Sequence, residues 1–141
     1  MGLLTNPKKR LSAILWLVAF HSLCVGLGLI LAPPYLMGRL GYNPYQERFF
    51  STQAGVFHFV MVTAYGLAAA NVTRYEGLII LSIAAKFIAT LFLLTYYFFV
   101  DAIWVVLASG VADFAMGVVI LWAFRIHKST FLPPSDSTSQ A

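Results

Sequence analysis

The chain has 141 residues, of which 60% are hydrophobic and 10% charged, against roughly 25% charged in an average soluble domain. A mean hydropathy of +0.83 is too high for a soluble core of this size to hide, so lipid is the expected solvent for most of the chain. The single cysteine excludes an internal disulfide, and the sequence has neither a glycine-rich phosphate loop nor a zinc-type Cys/His spacing.

The first apolar run covers 11–32 and stops at Pro33 and Pro34, which cannot both continue a helix. Residues 33–48 are long enough to hold a short interfacial segment carrying Tyr35, Leu36, Met37, Tyr42 and Tyr45. Three further runs cover 49–70, 78–100 and 103–124, each close to the roughly 20 residues a hydrocarbon core requires. Runs this long without strand-like alternation predict helices. Joins as short as 71–77 and 101–102 make sequential spans antiparallel. The expected fold is an all-α integral membrane protein, an antiparallel four-helix transmembrane bundle over 11–124. A basic N-terminal segment, 1–10, precedes it, and 125–141 is expected to be a disordered tail.

Orientation follows from Lys and Arg near the span ends, because their translocation is disfavoured. Lys8, Lys9, Arg10, Arg74, Arg125 and Lys128 fall on one side, and Arg39 and Arg48 on the other. A multi-pass protein of the cell membrane with both termini cytoplasmic is expected. The net charge of +4 is explained by this flanking distribution and by anionic lipid, so no nucleic-acid partner is expected. The first run is too long for a signal-peptide core and is read as a retained anchor. The Asn71-Val72-Thr73 sequon lies in a predicted cytoplasmic loop and carries little weight. Cys24 is read as a small buried hydrophobe.

Each span carries one residue that is costly in hydrocarbon: His21, His58, Lys86 and Asp113. At about 1.5 Å per residue from the predicted cytoplasmic ends, all four lie roughly 12 to 18 Å deep, near one level. Small residues share their stripes: Cys24 and Gly28 with His21, Gly55 with His58, Ser82 and Thr90 with Lys86, Gly110 and Gly117 with Asp113. Such faces allow close helix approach, so the polar side chains are expected inside the bundle. An unpaired Lys or Asp at mid-bilayer costs about 2.5 to 3.5 kcal/mol on insertion scales, which predicts pairing of Lys86 with Asp113. That pair is either a structural lock on helix register or, with the two histidines, part of a cavity for a ligand's polar head or a proton relay. No metal site is expected, because three potential ligands from three helices lack i, i+3 or i, i+4 spacing and Lys86 would repel a cation. Glu47, Arg48 and Gln53 mark the outer mouth of the second span.

Several segments also carry a resemblance: Leu-Ala-Pro-Pro at 31–34, Gly55-Val56-Phe57-His58, Ala69-Ala70-Asn71 to Tyr75-Glu76-Gly77-Leu78, Ala85-Lys86-Phe87 and Ala112-Asp113-Phe114. Over residues 11–124 the chain resembles uncharacterised small bacterial four-helix membrane proteins, similar in outline to the DoxX-like group. Some members of that group are associated with quinone-linked oxidoreduction, so the resemblance implies quinone chemistry by analogy and transfers no catalytic motif. The expected function is that of an accessory or binding protein for a lipophilic molecule, a quinone or lipid, whose polar group meets His21, His58, Lys86 and Asp113. The alternatives are an intramembrane enzyme with His-based proton transfer and a structural subunit. Expected partners are membrane lipid, a lipophilic small molecule, and a membrane-protein partner or a second copy of the chain.

Overall fold

The computed structural model describes residues 6–43 and 48–131, and within them every regular element is an α-helix. Asn6 caps α1 (Pro7–Leu31): its Oδ1 accepts the amides of Lys8 and Lys9 at 3.0 and 3.4 Å, and Pro7 takes a first-turn position where its missing N–H costs nothing. The helix therefore starts inside the segment read from sequence as an N-terminal flank. It ends where expected, before Pro33 and Pro34, and Pro33 becomes the N-cap of a short α2 (Pro34–Arg39). Thus residues 34–39 of the expected interfacial segment form a helix of their own. Gly41, at φ 93°, turns the chain over so that it lies against the start of the last helix, where an added Cβ would stand 3.1 Å from Ile103.

Helix α3 (Arg48–Ala70) leads to a turn in which Asn71 Oδ1 accepts the Arg74 amide at 3.1 Å, and α4 (Glu76–Phe99) follows. Helix α5 (Trp104–Phe131) continues past the boundary expected from sequence, so 125–131 are helical rather than part of a disordered tail. The extension has local causes. Lys128 sits in the last turn, where a cation complements the carbonyl end, and it pairs with Glu76 of α4. The hydroxyls of Ser129 and Thr130 donate to the Ile126 carbonyl at 3.0 and 2.9 Å. The rest of the predicted tail, 132–141, lies outside the described residues, as do Tyr45 and Glu47.

Four of these helices, α1, α3, α4 and α5, are long and apolar enough to cross a membrane. They form a ring in which α1 packs on α3 and α5, and α4 packs on α5 and α3. Contacts along α1 and α3 are tied at three levels. Ser12 donates to the Ala69 carbonyl at 2.7 Å, Ser22 meets His58 at mid-length, and Arg48 donates to the Ile30 and Ala32 carbonyls at 2.9 and 3.2 Å. Helices α4 and α5 are likewise tied by Glu76 with Lys128, Lys86 with Asp113, and Thr90 with the Gly110 carbonyl.

The buried apolar core gathers at one end of the ring, where Leu11, Leu15, Val18, Tyr65, Ala68, Val72, Ile79, Ile120 and Ala123 meet. Large apolar side chains elsewhere face outward; Leu17, Phe20, Ile88 and Leu91 are between 65% and 70% exposed. This is the inverse of a water-soluble helical protein, whose helices bury one apolar stripe and expose a polar face. Cys24, read from sequence as buried, is also on this exterior. The outward surface is mostly apolar, so a small apolar residue there meets no penalty that would drive it inside.

Closest approach occurs between α1 and α3 at Gly26 and Gly55. A Cβ on Gly55 would lie 2.6 Å from Ile30 Cγ1 and 2.8 Å from the Gly26 carbonyl oxygen, and one on Gly26 would lie 3.0 Å from the Gly55 carbonyl oxygen. Because backbone must yield at this contact, Gly55→Val is expected to destabilise by about 1–3 kcal/mol, the usual range for overpacking. At Gly28 a Cβ would meet nothing within 4 Å, so Gly28→Ala should leave stability nearly unchanged. Thermal unfolding of both variants in one detergent checks the contrast.

Candidate functional site

The four costly residues come together at the level where the apolar core ends. Lys86 Nζ, on α4, donates to Asp113 Oδ1, on α5, at 2.5 Å, with side chains only 4% and 13% exposed. Lys86 reaches this partner from a face that also buries Ser82 and Thr90, whose hydroxyls donate to the Leu78 and Lys86 carbonyls at 2.6 and 2.8 Å. The small-residue face predicted around Asp113 is used as expected. A Cβ on Gly117 would lie 3.3 Å from Lys86 Cβ, and one on Gly110 would lie 3.2 to 3.5 Å from Leu93 and Leu94. Tyr65 of α3 lies beneath the ammonium, its ring centroid 5.8 Å from Nζ.

On the opposite pair of helices, Ser22 Oγ shares a 2.9 Å hydrogen bond with His58 Nδ1, the ring tautomer deciding which partner donates. Ser22 is 1% exposed. A hydroxyl so enclosed cannot meet a substrate as a nucleophile, and its effect is to fix the orientation of the His58 ring. His21 differs from His58, because its Nδ1 is buried with no hydrogen-bond partner. Both histidines feel the Lys86 and Asp113 charges across the interior. Among the described residues, no group of three His, Cys, Asp or Glu side chains is arranged to hold a metal ion.

Beyond this polar layer the four long helices border a half-open cavity of about 730 Å³, within the 300–1,000 Å³ range of small-molecule sites. His21, His58 and Asp113 form its floor, whereas Lys86 stays behind Asp113 and does not line it. Its walls are apolar apart from Ser109 of α5: Val25 and Leu29 come from α1, Phe57 from α3, Phe92 and Leu93 from α4, Val105 from α5. The short helix α2 covers the far end with Leu36, Met37 and Leu40, and Tyr42 and Gln53 join it there. A second, smaller cavity of about 490 Å³ adjoins the first at this mouth and shares Leu29, Ala32, Met37, Tyr42, Phe50 and Ala54 with it; Arg48 and Ser51 lie on its side. Burial raises the Tyr42 phenol above its ordinary pKa, and Tyr96 adds to the effect, so Tyr42 stays a neutral donor at the mouth. Gly28, read from sequence as a packing position, lines the cavity instead, since no neighbour closes on it.

Two residues and one short helix outside the sequence-derived set of His21, His58, Lys86 and Asp113 matter here. Ser22 orients His58, Tyr65 supports Lys86, and α2 lines the mouth. Ser22 adjoins His21 in sequence but contacts the neighbouring helix, and a serine in an apolar run gives no sign of its partner. No family model matches the chain, and neither a curated protein nor a solved structure is found to be similar to it.

Removing one member of the Lys86/Asp113 pair leaves the other charge uncompensated in an apolar interior. Lys86→Met is expected to cost about 3–5 kcal/mol, and Lys86→Met combined with Asp113→Leu to recover most of that loss. Accumulation of folded protein and thermal unfolding in detergent measure both variants; additive losses would exclude direct coupling.

Proposed function

We propose that this chain is a multi-pass membrane protein that binds a lipophilic molecule, a quinone or another lipid, inside an antiparallel four-helix bundle. One observation carries this reading: the cavity has apolar walls and ends on His21, His58 and Asp113. Ligand sites typically combine an apolar lining with a few convergent polar groups that fix orientation. The pairing of Ser12 with Ala69 and of Arg48 with Ile30, at opposite ends of α1 and α3, supports the antiparallel arrangement. The placement of Lys8, Lys9, Arg10, Arg125 and Lys128 supports cytoplasmic termini. In that orientation the apolar core faces the cytoplasm and the cavity opens toward the outer side. A quinone belongs among the candidate ligands through the architectural resemblance to the DoxX-like group alone.

Native mass spectrometry of the full chain, purified gently and followed by extraction of small molecules, tests the reading. A discrete lipophilic ligand is expected in the wild-type protein. Gly28→Phe, whose Cβ meets no neighbour and whose ring adds bulk to the cavity that Gly28 lines, should reduce its occupancy at least tenfold while leaving the fold intact. An enzyme would in addition convert that molecule, at a rate that varies with pH. A chain that carries only bulk lipid in both forms would overturn the proposal and leave a structural subunit, stabilised by the Lys86/Asp113 lock.

A further inference from the structure

The cavity floor has a definite chemical character, which restricts the head group it can accept. We propose that the occupant is an amphiphile with an uncharged, hydroxyl-bearing head, seated between His21, His58 and Asp113; this rests on the ligand-binding reading above and narrows it.

Charge sets the first restriction on the head group. Lys86 and Asp113 neutralise one another, and Lys86 is sequestered behind its partner rather than presented to the cavity. An anionic head such as a phosphate or carboxylate would find no free cation at the floor and would face the Asp113 carboxylate directly. A cationic head would have to compete with Lys86 for Asp113 in an apolar surrounding, where a further unpaired charge is costly. A neutral head avoids both penalties.

Hydrogen-bonding capacity then separates one neutral head from another. Asp113 Oδ1 receives Lys86, and an ionised carboxylate with two oxygens has further lone pairs to offer. The His58 ring is held through Nδ1 by Ser22 and the His21 Nδ1 is itself buried, so each ring has its opposite edge, with Nε2, left for the cavity it lines. A neutral imidazole carries one donor and one acceptor. The floor therefore offers both kinds of site within one small space, and a hydroxyl is the smallest head that donates and accepts at once. Its proton suits the Asp113 carboxylate or an imidazole nitrogen, and its oxygen suits an imidazole N–H. A simple ester or ketone could use only the donors.

Size agrees with a single chain or ring system. From His58 at the floor to Phe50 at the mouth is about 12 Å along α3, taking 1.5 Å per residue. The intervening walls, Val25, Leu29, Phe57, Phe92 and Leu93, present no charge to an apolar body. Helices α3 and α4 touch least among the neighbouring pairs, and Phe57 and Phe92, on their two sides, are each 64% exposed. A body longer than the cavity has room along that seam.

Three probes that share a dodecyl chain isolate the head group: 4-dodecylphenol, dodecyl phosphate and dodecyltrimethylammonium. Each is titrated against the full chain in phosphatidylcholine nanodiscs, with thermal shift and native mass as readouts. The phenol is expected to bind at least tenfold more tightly than either charged probe, and His21→Leu to weaken the phenol at least tenfold while leaving the charged probes unchanged. His21 is the informative position because its ring makes no hydrogen bond to another described residue, whereas His58→Leu would also strand Ser22. Equal or tighter binding of a charged probe, or phenol binding indifferent to His21→Leu, overturns the head-group assignment. If wild-type protein retains a natural ligand that Gly28→Phe expels, yet binds no probe, the head-group assignment falls and the cavity reading stands. If neither a natural ligand nor any probe binds, both fall.

Discussion

A lysine and an aspartate enclosed by apolar helices can remain charged only in contact with one another, and much of this molecule is arranged around that requirement. Lys86 must lie opposite Asp113, which sets the register of α4 against α5. That register in turn brings Gly117 against Lys86 and Gly110 against Leu93 and Leu94, where larger side chains would hold the helices apart. Such a pair contributes little to net stability compared with well-packed hydrophobic residues of similar volume. Its effect lies in excluding other registers, since a shift of one residue would separate the charges.

The same level divides the molecule into two halves of different character. On one side, Leu11, Leu15, Tyr65, Ile79, Ile120 and their neighbours fill the space between all four long helices. On the other, the helices border a half-open cavity whose far end is lined by α2. A cavity of this size forfeits dispersion contacts along its lining. The molecule tolerates that loss because α1 with α3, and α4 with α5, are each secured along their length by contacts that do not depend on the cavity being filled.

Much of this was legible in the sequence, and what was not has identifiable physical causes. Four runs of membrane-spanning length, ended by Pro33 and Pro34 or by short polar joins, gave the long helices to within a few residues, because hydropathy and helix breakers act locally. Helix ends were less legible: α1 begins at Pro7 through the Asn6 cap, and α5 extends through Phe131 with Lys128 reaching Glu76 on another helix. The Lys86/Asp113 contact followed from charge alone, since no other arrangement of two such residues is tolerable. The cavity could not be foreseen. Whether Gly28 packs against a neighbour or borders open space depends on how far α1 and α3 stand from α4 and α5, and neither side-chain periodicity nor depth carries that distance. Cys24 escaped for a related reason: when the exterior is as apolar as the interior, hydrophobicity no longer tells inside from outside.

The division of polar contacts between the two helix pairs has a consequence for motion. Ser22 meets His58 within the α1/α3 pair, and Lys86 meets Asp113 within the α4/α5 pair, so each pair satisfies these polar groups internally. Between the pairs at mid-length the described link is the Lys86 ammonium over the Tyr65 ring, beyond which the apolar walls of the cavity face each other. The pairs can therefore part on the cavity side without breaking an ion pair, while the packed core at the other end acts as the hinge. Parting of this kind would cost dispersion contacts, including the approach of Gly41 to Ile103 at the far end, and little electrostatic energy.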